Sequence, residues 1–140
     1  MISIDFQEYV SDELGELIDR EFNRYASKYD VKCNYSPFAY IAREDGKVLG
    51  VITGHSYYSE VHISDLIVIE EFRGRDIGSM LIDTVIKYYS NKGFDNINLS
   101  TYEFQARKFY EMHGFKVEFV RENKENKNLN KYYMCYNFRK

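Results

Sequence analysis

Tryptophan is absent from this 140-residue chain, proline occurs once and cysteine twice. Cys33 and Cys135 stand far apart and match no CxxC or metal-ligand spacing, so the sequence indicates neither a disulfide framework nor a metal module. Two reduced thiols and no metal are the expectation. A lone proline and eight glycines leave no Pro/Gly-rich linker, and no segment repeats, so a single domain over residues 1–140 is expected. No apolar run approaches the roughly 20 residues that a membrane crossing needs. Met1–Asp19 carries no basic region followed by an apolar stretch. A cytoplasmic protein with no membrane partner is expected. Neither sign of charge dominates: 19 Lys and Arg face 22 Asp and Glu, for a net charge of −3. That balance argues against a nucleic-acid partner, which would need clustered Lys and Arg to meet phosphates.

What the chain has in plenty is apolar and aromatic material, 44% and 17% of residues, with 14 Tyr and 10 Phe. A chain this long buries roughly two-thirds of its unfolded surface, enough to fold without staples. Tyrosine joins an apolar ring to a polar tip, so its abundance suggests a core that reaches the walls of a cleft. Alternation over Ile2–Phe6 predicts a short strand. Ser11 reads as an N-cap, with Asp12 and Glu13 beside the positive end of a helix that runs to about Tyr29. Phe38–Arg43 and Val48–Gly54 are apolar runs joined through Asp45-Gly46, a strong hairpin signal. Val61–Ile69 reads as a strand, Ile77–Tyr89 as an amphipathic helix and Asn96–Thr101 as a strand. Ala106–His113 follows as a short helix ended by Gly114, then Phe115–Val120 and Tyr132–Phe138 as strands. The order β-α-β-β-β-α-β-α-β-β predicts an α+β domain whose mostly antiparallel sheet contains one parallel pair.

The segment richest in chemistry is Leu66 to Ile82, which reads as a strand, a basic glycine-containing turn and the start of a helix. Such a turn aims backbone N–H groups at one point, and the helix adds the positive end of its dipole. Gly74 and Gly78 permit close approach of an anion, while Arg73 and Arg75 add charge. Read from spacing alone, this is either a phosphate site or an ordinary strand-to-helix turn with solvated arginines.

Arg73-Gly74-Arg75-Asp76-Ile77-Gly78 resembles the Q/R-x-x-G-x-G/A motif of the GNAT N-acetyltransferases, and Leu66-Ile67-Val68 resembles the strand end before it. Asp76 stands in place of the first motif glycine, so its carboxylate is expected to face solvent. Ala106 to Phe115 resembles the family's later A-x-x-x-Y-x-x-x-G-F helix and strand. The resemblance spans about Val48 to Phe119. It implies a three-layer α/β/α sandwich whose mixed sheet splays between the fourth and fifth strands, here Val61–Ile69 and Asn96–Thr101. It further implies acetyl-CoA as cosubstrate in that opening, with Leu66, Ile67 and Val68 along the pantetheine arm. The loop Arg73, Gly74, Arg75, Asp76, Ile77, Gly78 and Ser79 would hold the pyrophosphate. Glu103 stands where many relatives carry a coenzyme-contacting asparagine.

The implied reaction is amine attack on a thioester, which needs a neutral amine, an oxyanion donor and a proton for sulfur. Tyr110 matches the family's usual general acid; without the resemblance it reads as a core tyrosine. Some relatives place a glutamate base where this chain has Asn98, which cannot take a proton. The remaining carboxylates are Asp65 and, less directly, Glu103 and Glu70; Asp65 interrupts an apolar run beside the strand end and reads either as base through water or as a binder of the ammonium. His62 reads as a structural strand residue and stays outside this mechanism. The expected acceptor is a primary amine on a small molecule of polyamine, aminoglycoside or amino-acid type. A protein amine, or a regulatory acyl-CoA-binding module without turnover, is the alternative. Oligomeric state is not readable from the sequence; members of the family often dimerise, so the resemblance leaves a homodimer open.

Overall fold

The computed structural model describes residues 1–139. They fall into two compact units, Met1–Asn34 and a second that begins at Tyr35. The first unit holds helix α1 (Asp12–Ser27), capped at Ser11, whose side chain accepts from the Leu14 N–H at 3.2 Å. It stops two residues short of the expected Tyr29, at a turn in which Tyr29 N–H donates to Ala26 and Asp30 takes a positive φ of 58°. Ile2–Phe6 is not a strand. Alternation makes a strand only where a neighbouring strand completes the ladder, and the residues of this unit supply none.

The second unit is a six-stranded sheet in the order β1-β2-β3-β4-β6-β5. Its elements are β1 (Ser36–Glu44), β2 (Lys47–Tyr57), β3 (Glu60–Val68), α2 (Ile77–Tyr89), β4 (Asn96–Tyr102), α3 (Arg107–Met112), β5 (Lys116–Arg121) and β6 (Lys131–Asn137). Neighbouring strands run antiparallel except β3 and β4, which are parallel. The expected α+β class and mixed sheet are therefore present. The β1–β2 turn uses Asp45 and Gly46, both at positive φ (52° and 76°), the backbone that a two-residue hairpin requires. β2 runs three residues past its expected end, because Ser56, His55 and Tyr57 pair on into β3.

α2 buries Ile77, Leu81, Ile82, Val85 and Tyr89, one stripe at helical spacing. These residues share a core with Ile52, Val61 and Ile63 of the β2–β3 ladder and with Ile97, Leu99 and Met134 of the β4–β6 ladder. Tyr110 of α3 and Phe115 join the same cluster. Each fully buried aliphatic chain contributes roughly 1.5–3 kcal/mol. α2 and α3 are tied by a relay in which Ser79 Oγ lies 3.0 Å from His113 Nε2, and His113 Nδ1 lies 3.2 Å from Asp83 Oδ1.

Candidate active site

The site begins where one ladder stops. β3 and β4 pair only through Glu60–Asn96, Val61–Ile97 and His62–Asn98, and no rung joins them beyond that point. β3 stays on β2, with Leu66, Ile67 and Val68 opposite Ile52, Val51 and Gly50. β4 stays on β6 as far as Tyr102. The expected splay is thus present, between the third and fourth observed strands because the predicted first strand is not there. A register shift leaves Ser64 without a partner opposite Thr53–Gly54. Such a bulge bends the strand and raises its local twist. Gly54 lets the strands approach there: a Cβ on it would lie 2.1 Å from the His62 carbonyl oxygen.

The two strands part around a cavity of about 1120 Å³. On one wall are Asp65, Leu66, Ile67 and Val68; at one end are Arg73, Gly74, Asp76, Ile77, Gly78 and Ser79. Leu99 to Thr101, Phe109 and Tyr110 form the opposite side. β3, the loop into α2 with its first turn, and α3 thereby gather eleven of the thirteen candidate residues. The other two turn elsewhere. Arg75 forms a bidentate ion pair with Glu44, at 2.7 and 3.3 Å, and does not line the cavity. The Arg75 guanidinium holds the Glu44 carboxyl below its ordinary range. Glu103 also lies off the cavity; its carboxylate, beside Tyr132, pushes that phenol up.

The loop before α2 has the geometry of an anion cradle. Gly74 sits at φ 84° and Asp76 at φ 62°, both left-handed. Asp76 explains how the chain dispenses with a glycine: Asp and Asn are the L residues that tolerate this region best. Its side chain makes no capping bond and is exposed, while the residue lines the cavity. The first turn of α2 contains no acidic residue, so its N–H groups and dipole are open to an anion. Arg73 reaches back so that its Nε donates to the Val68 carbonyl at 3.0 Å, fixing the loop against the end of β3.

Tyr110 is 7% exposed, and burial pushes its phenol up to about 12. Its hydroxyl has no hydrogen-bond partner among the described residues, yet no side-chain polar atom among them is both fully buried and unpartnered. The oxygen therefore reaches the cavity. Its backbone N–H donates to Ala106, and its carbonyl accepts from Phe115, which fixes the ring at the start of β5. Asp65, on the facing wall, accepts a hydrogen bond from Thr53 Oγ1 at 2.9 Å. Among the described residues no group of His, Cys, Asp and Glu is arranged to hold a metal, and no helix is long and apolar enough to cross a membrane.

Comparison with known proteins agrees with this geometry. The model of the Acetyltransferase (GNAT) family matches residues 4–115. An N-acetyltransferase of Methanocaldococcus jannaschii, itself described as uncharacterized, is 37% identical over 82 residues, 55% of this chain and 51% of the relative. The chain thus spans about half the length of that curated relative. An acetyltransferase from Bacillus cereus superposes with a TM-score of 0.76 at 26% identity, over 95% of this chain and 97% of the other. An aminoglycoside 6′-N-acetyltransferase complexed with coenzyme A superposes with a TM-score of 0.65 at 17% identity, over 93% and 82% of the two chains. With a family model covering most of its length and a sheet that opens at the same place as the motif, this chain belongs to the GNAT acetyltransferase family.

Proposed function

We propose that the chain transfers an acetyl group from acetyl-CoA to the primary amine of a small molecule, of polyamine, aminoglycoside or amino-acid type. One observation carries the reading: a cavity opens where β3 and β4 part, with an N–H-rich loop at one end and an unpartnered phenol on its wall. The side of Leu66–Val68 that faces away from β2 can pair with the pantetheine amides as an added strand would. The pyrophosphate meets the N–H groups of Gly74 to Ser79 at the N-terminus of α2. Relatives of this fold with coenzyme A or acetyl-CoA bound support that placement.

The amine attacks the thioester carbonyl carbon, forming a C–N bond; the tetrahedral adduct then collapses with cleavage of the C–S bond. Tyr110, a neutral donor at every physiological pH, gives its hydroxyl hydrogen to the departing sulfur and recovers a proton from the nitrogen of the new amide. Asp65, held by Thr53, is suited to receive the ammonium form of the acceptor. Aminoglycoside acetyltransferases among the structural neighbours favour a small polycationic acceptor. The test pairs calorimetry of acetyl-CoA binding with a free-thiol assay over spermidine, kanamycin and L-lysine. Thiol release with at least one amine is expected. Binding with no release from any of them would favour a non-catalytic acyl-CoA module.

A further inference from the structure

A second cavity, of about 290 Å³, is lined by His62, Asn98, Glu60, Glu118 and Tyr133 among others. It shares Leu99 and Ser100 with the cavity between the strands, so the two meet at β4. His62 and Asn98 form the last rung of the β3–β4 ladder, the vertex from which the strands diverge. The side chains here form a directed chain. His62 Nδ1 lies 2.7 Å from Asn98 Oδ1, Asn98 Nδ2 donates to Asn96 Oδ1 at 2.9 Å, and Asn96 Nδ2 donates to Glu60 Oε1 at 3.2 Å. A carboxylate can only accept, so it sets the direction of every link. Asn98 spends its amide hydrogen on Asn96 and offers its oxygen to His62, which therefore carries its proton on Nδ1. The lone pair is left on Nε2.

We propose that His62 Nε2 takes the proton from the acceptor's ammonium group at the vertex of the two strands, resting this on the acetyl-transfer reading above. The groups around the ring suit the task. His55 on β2 has its ring centroid 5.4 Å away, and burial followed by the nearness of His62 keeps it below the ordinary imidazole value. Glu60 on β3 and Glu118 on β5 supply negative charge; together with burial they push the Cys135 thiol of β6 up to about 11. No Lys or Arg lines this cavity. A cationic amine is drawn in, and the Nε2 lone pair is the acceptor that meets it. The proton count closes. The ammonium loses one proton to Nε2, the neutral nitrogen attacks, and the proton that Tyr110 lends to sulfur returns from the amide nitrogen. One proton remains on His62 and passes to solvent.

The experiment is the pH profile of kcat/KM for thiol release from acetyl-CoA, with whichever of spermidine, kanamycin or L-lysine the wild type turns over. His62→Gln should lower kcat about 100-fold, a typical loss for a general base, and should remove the acidic limb. Asn98→Asp keeps the ring and places a carboxylate on Nδ1, which favours the imidazolium and should move the acidic limb up by about one pH unit. Calorimetry of acetyl-CoA binding reports whether each variant is folded. A His62→Gln enzyme that binds acetyl-CoA and keeps both its limb and its rate within about threefold overturns the role of His62 while leaving acetyl transfer intact. An unmoved limb in Asn98→Asp also overturns it. Failure of the wild type with every amine overturns the acetyl-transfer reading and the role of His62 together.

Discussion

Replacing Tyr110 with Phe isolates the chemistry of one oxygen. The ring packs against Phe109 and Phe115, with centroids 5.3 and 5.6 Å away, and Phe preserves those contacts. The hydroxyl has no hydrogen-bond partner among the described residues, so its removal should change stability at pH 7 by less than about 1 kcal/mol. Turnover should respond differently. A hydrogen bond to a charged partner is worth about 1.5–3 kcal/mol, so losing the donor to a departing thiolate should reduce kcat by about 10- to 150-fold. KM for acetyl-CoA should stay near its wild-type value, because the bond strengthens only as sulfur gains charge. The same residue leaves a mark on stability at high pH. Burial raises the folded phenol to about 12 against an unfolded value near 10. A group raised on folding stabilises fully below its unfolded value, and that contribution is lost as pH rises through the folded one. Between pH 10 and 12 the wild type should therefore lose roughly 3 kcal/mol that the Phe variant keeps. Urea unfolding of both proteins at pH 8 and pH 11.5, compared as a difference, cancels the other tyrosines. A Phe variant with wild-type kcat removes Tyr110 from the reaction; a variant that loses several kcal/mol at pH 7 marks a structural tyrosine instead.

Gly78→Ala tests the anion cradle, because a Cβ there meets only Phe109 at 3.4 Å and Val68 at 3.7 Å, both ordinary contacts. Its Tm should hold while KM for acetyl-CoA rises at least about tenfold, through steric loss of close approach to the pyrophosphate. Asp76→Gly removes a left-handed L residue and a carboxylate beside that anion, so acetyl-CoA should bind a few-fold tighter by calorimetry, most clearly at low salt. Arg75→Ala breaks an exposed pair with Glu44 and should leave the urea midpoint close to that of the wild type, with KM for acetyl-CoA unchanged. Gly54→Ala puts a Cβ 2.1 Å from the His62 carbonyl and 2.7 Å from Phe38. It should lower Tm by ten degrees or more, about 3 kcal/mol, and weaken turnover by shifting the vertex.

Local signals carried much of the fold into the sequence. Ile77–Tyr89 was readable as a helix to the residue, because a five-member apolar stripe encodes both its period and its limits. Asp45-Gly46 named its hairpin because left-handed backbone selects those residue types. The β2–β3 hairpin was less legible: it turns at Tyr58, a bulky residue at φ 53°, held by stacking on Tyr57 at 4.0 Å rather than by a turn residue. The Ile2–Phe6 alternation misled for the opposite reason, since period two states which side a residue faces but supplies no partner strand. Arg75 shows the same limit in the site. Its sequence neighbours line the anion loop, yet its guanidinium belongs to Glu44, 31 residues earlier, and only tertiary structure decides that competition.

His62 carries this furthest. A histidine in a strand has no periodic or motif signature, and spacing assigns it to packing. What changes its meaning is the register that sets it opposite Asn98 on the last rung before the strands part. It also takes three side chains from two strands to carry a fixed hydrogen-bond direction down to Glu60. Each of those residues is unremarkable in the sequence. The motif loop is a local device, legible because phosphate binding needs consecutive backbone N–H groups. Proton removal from the amine needs one basic lone pair of fixed direction, and any two adjacent strands can assemble that from residues far apart in the chain. The loop end of the candidate site was therefore readable in advance, and the role we propose for His62 had to wait for the register of the sheet.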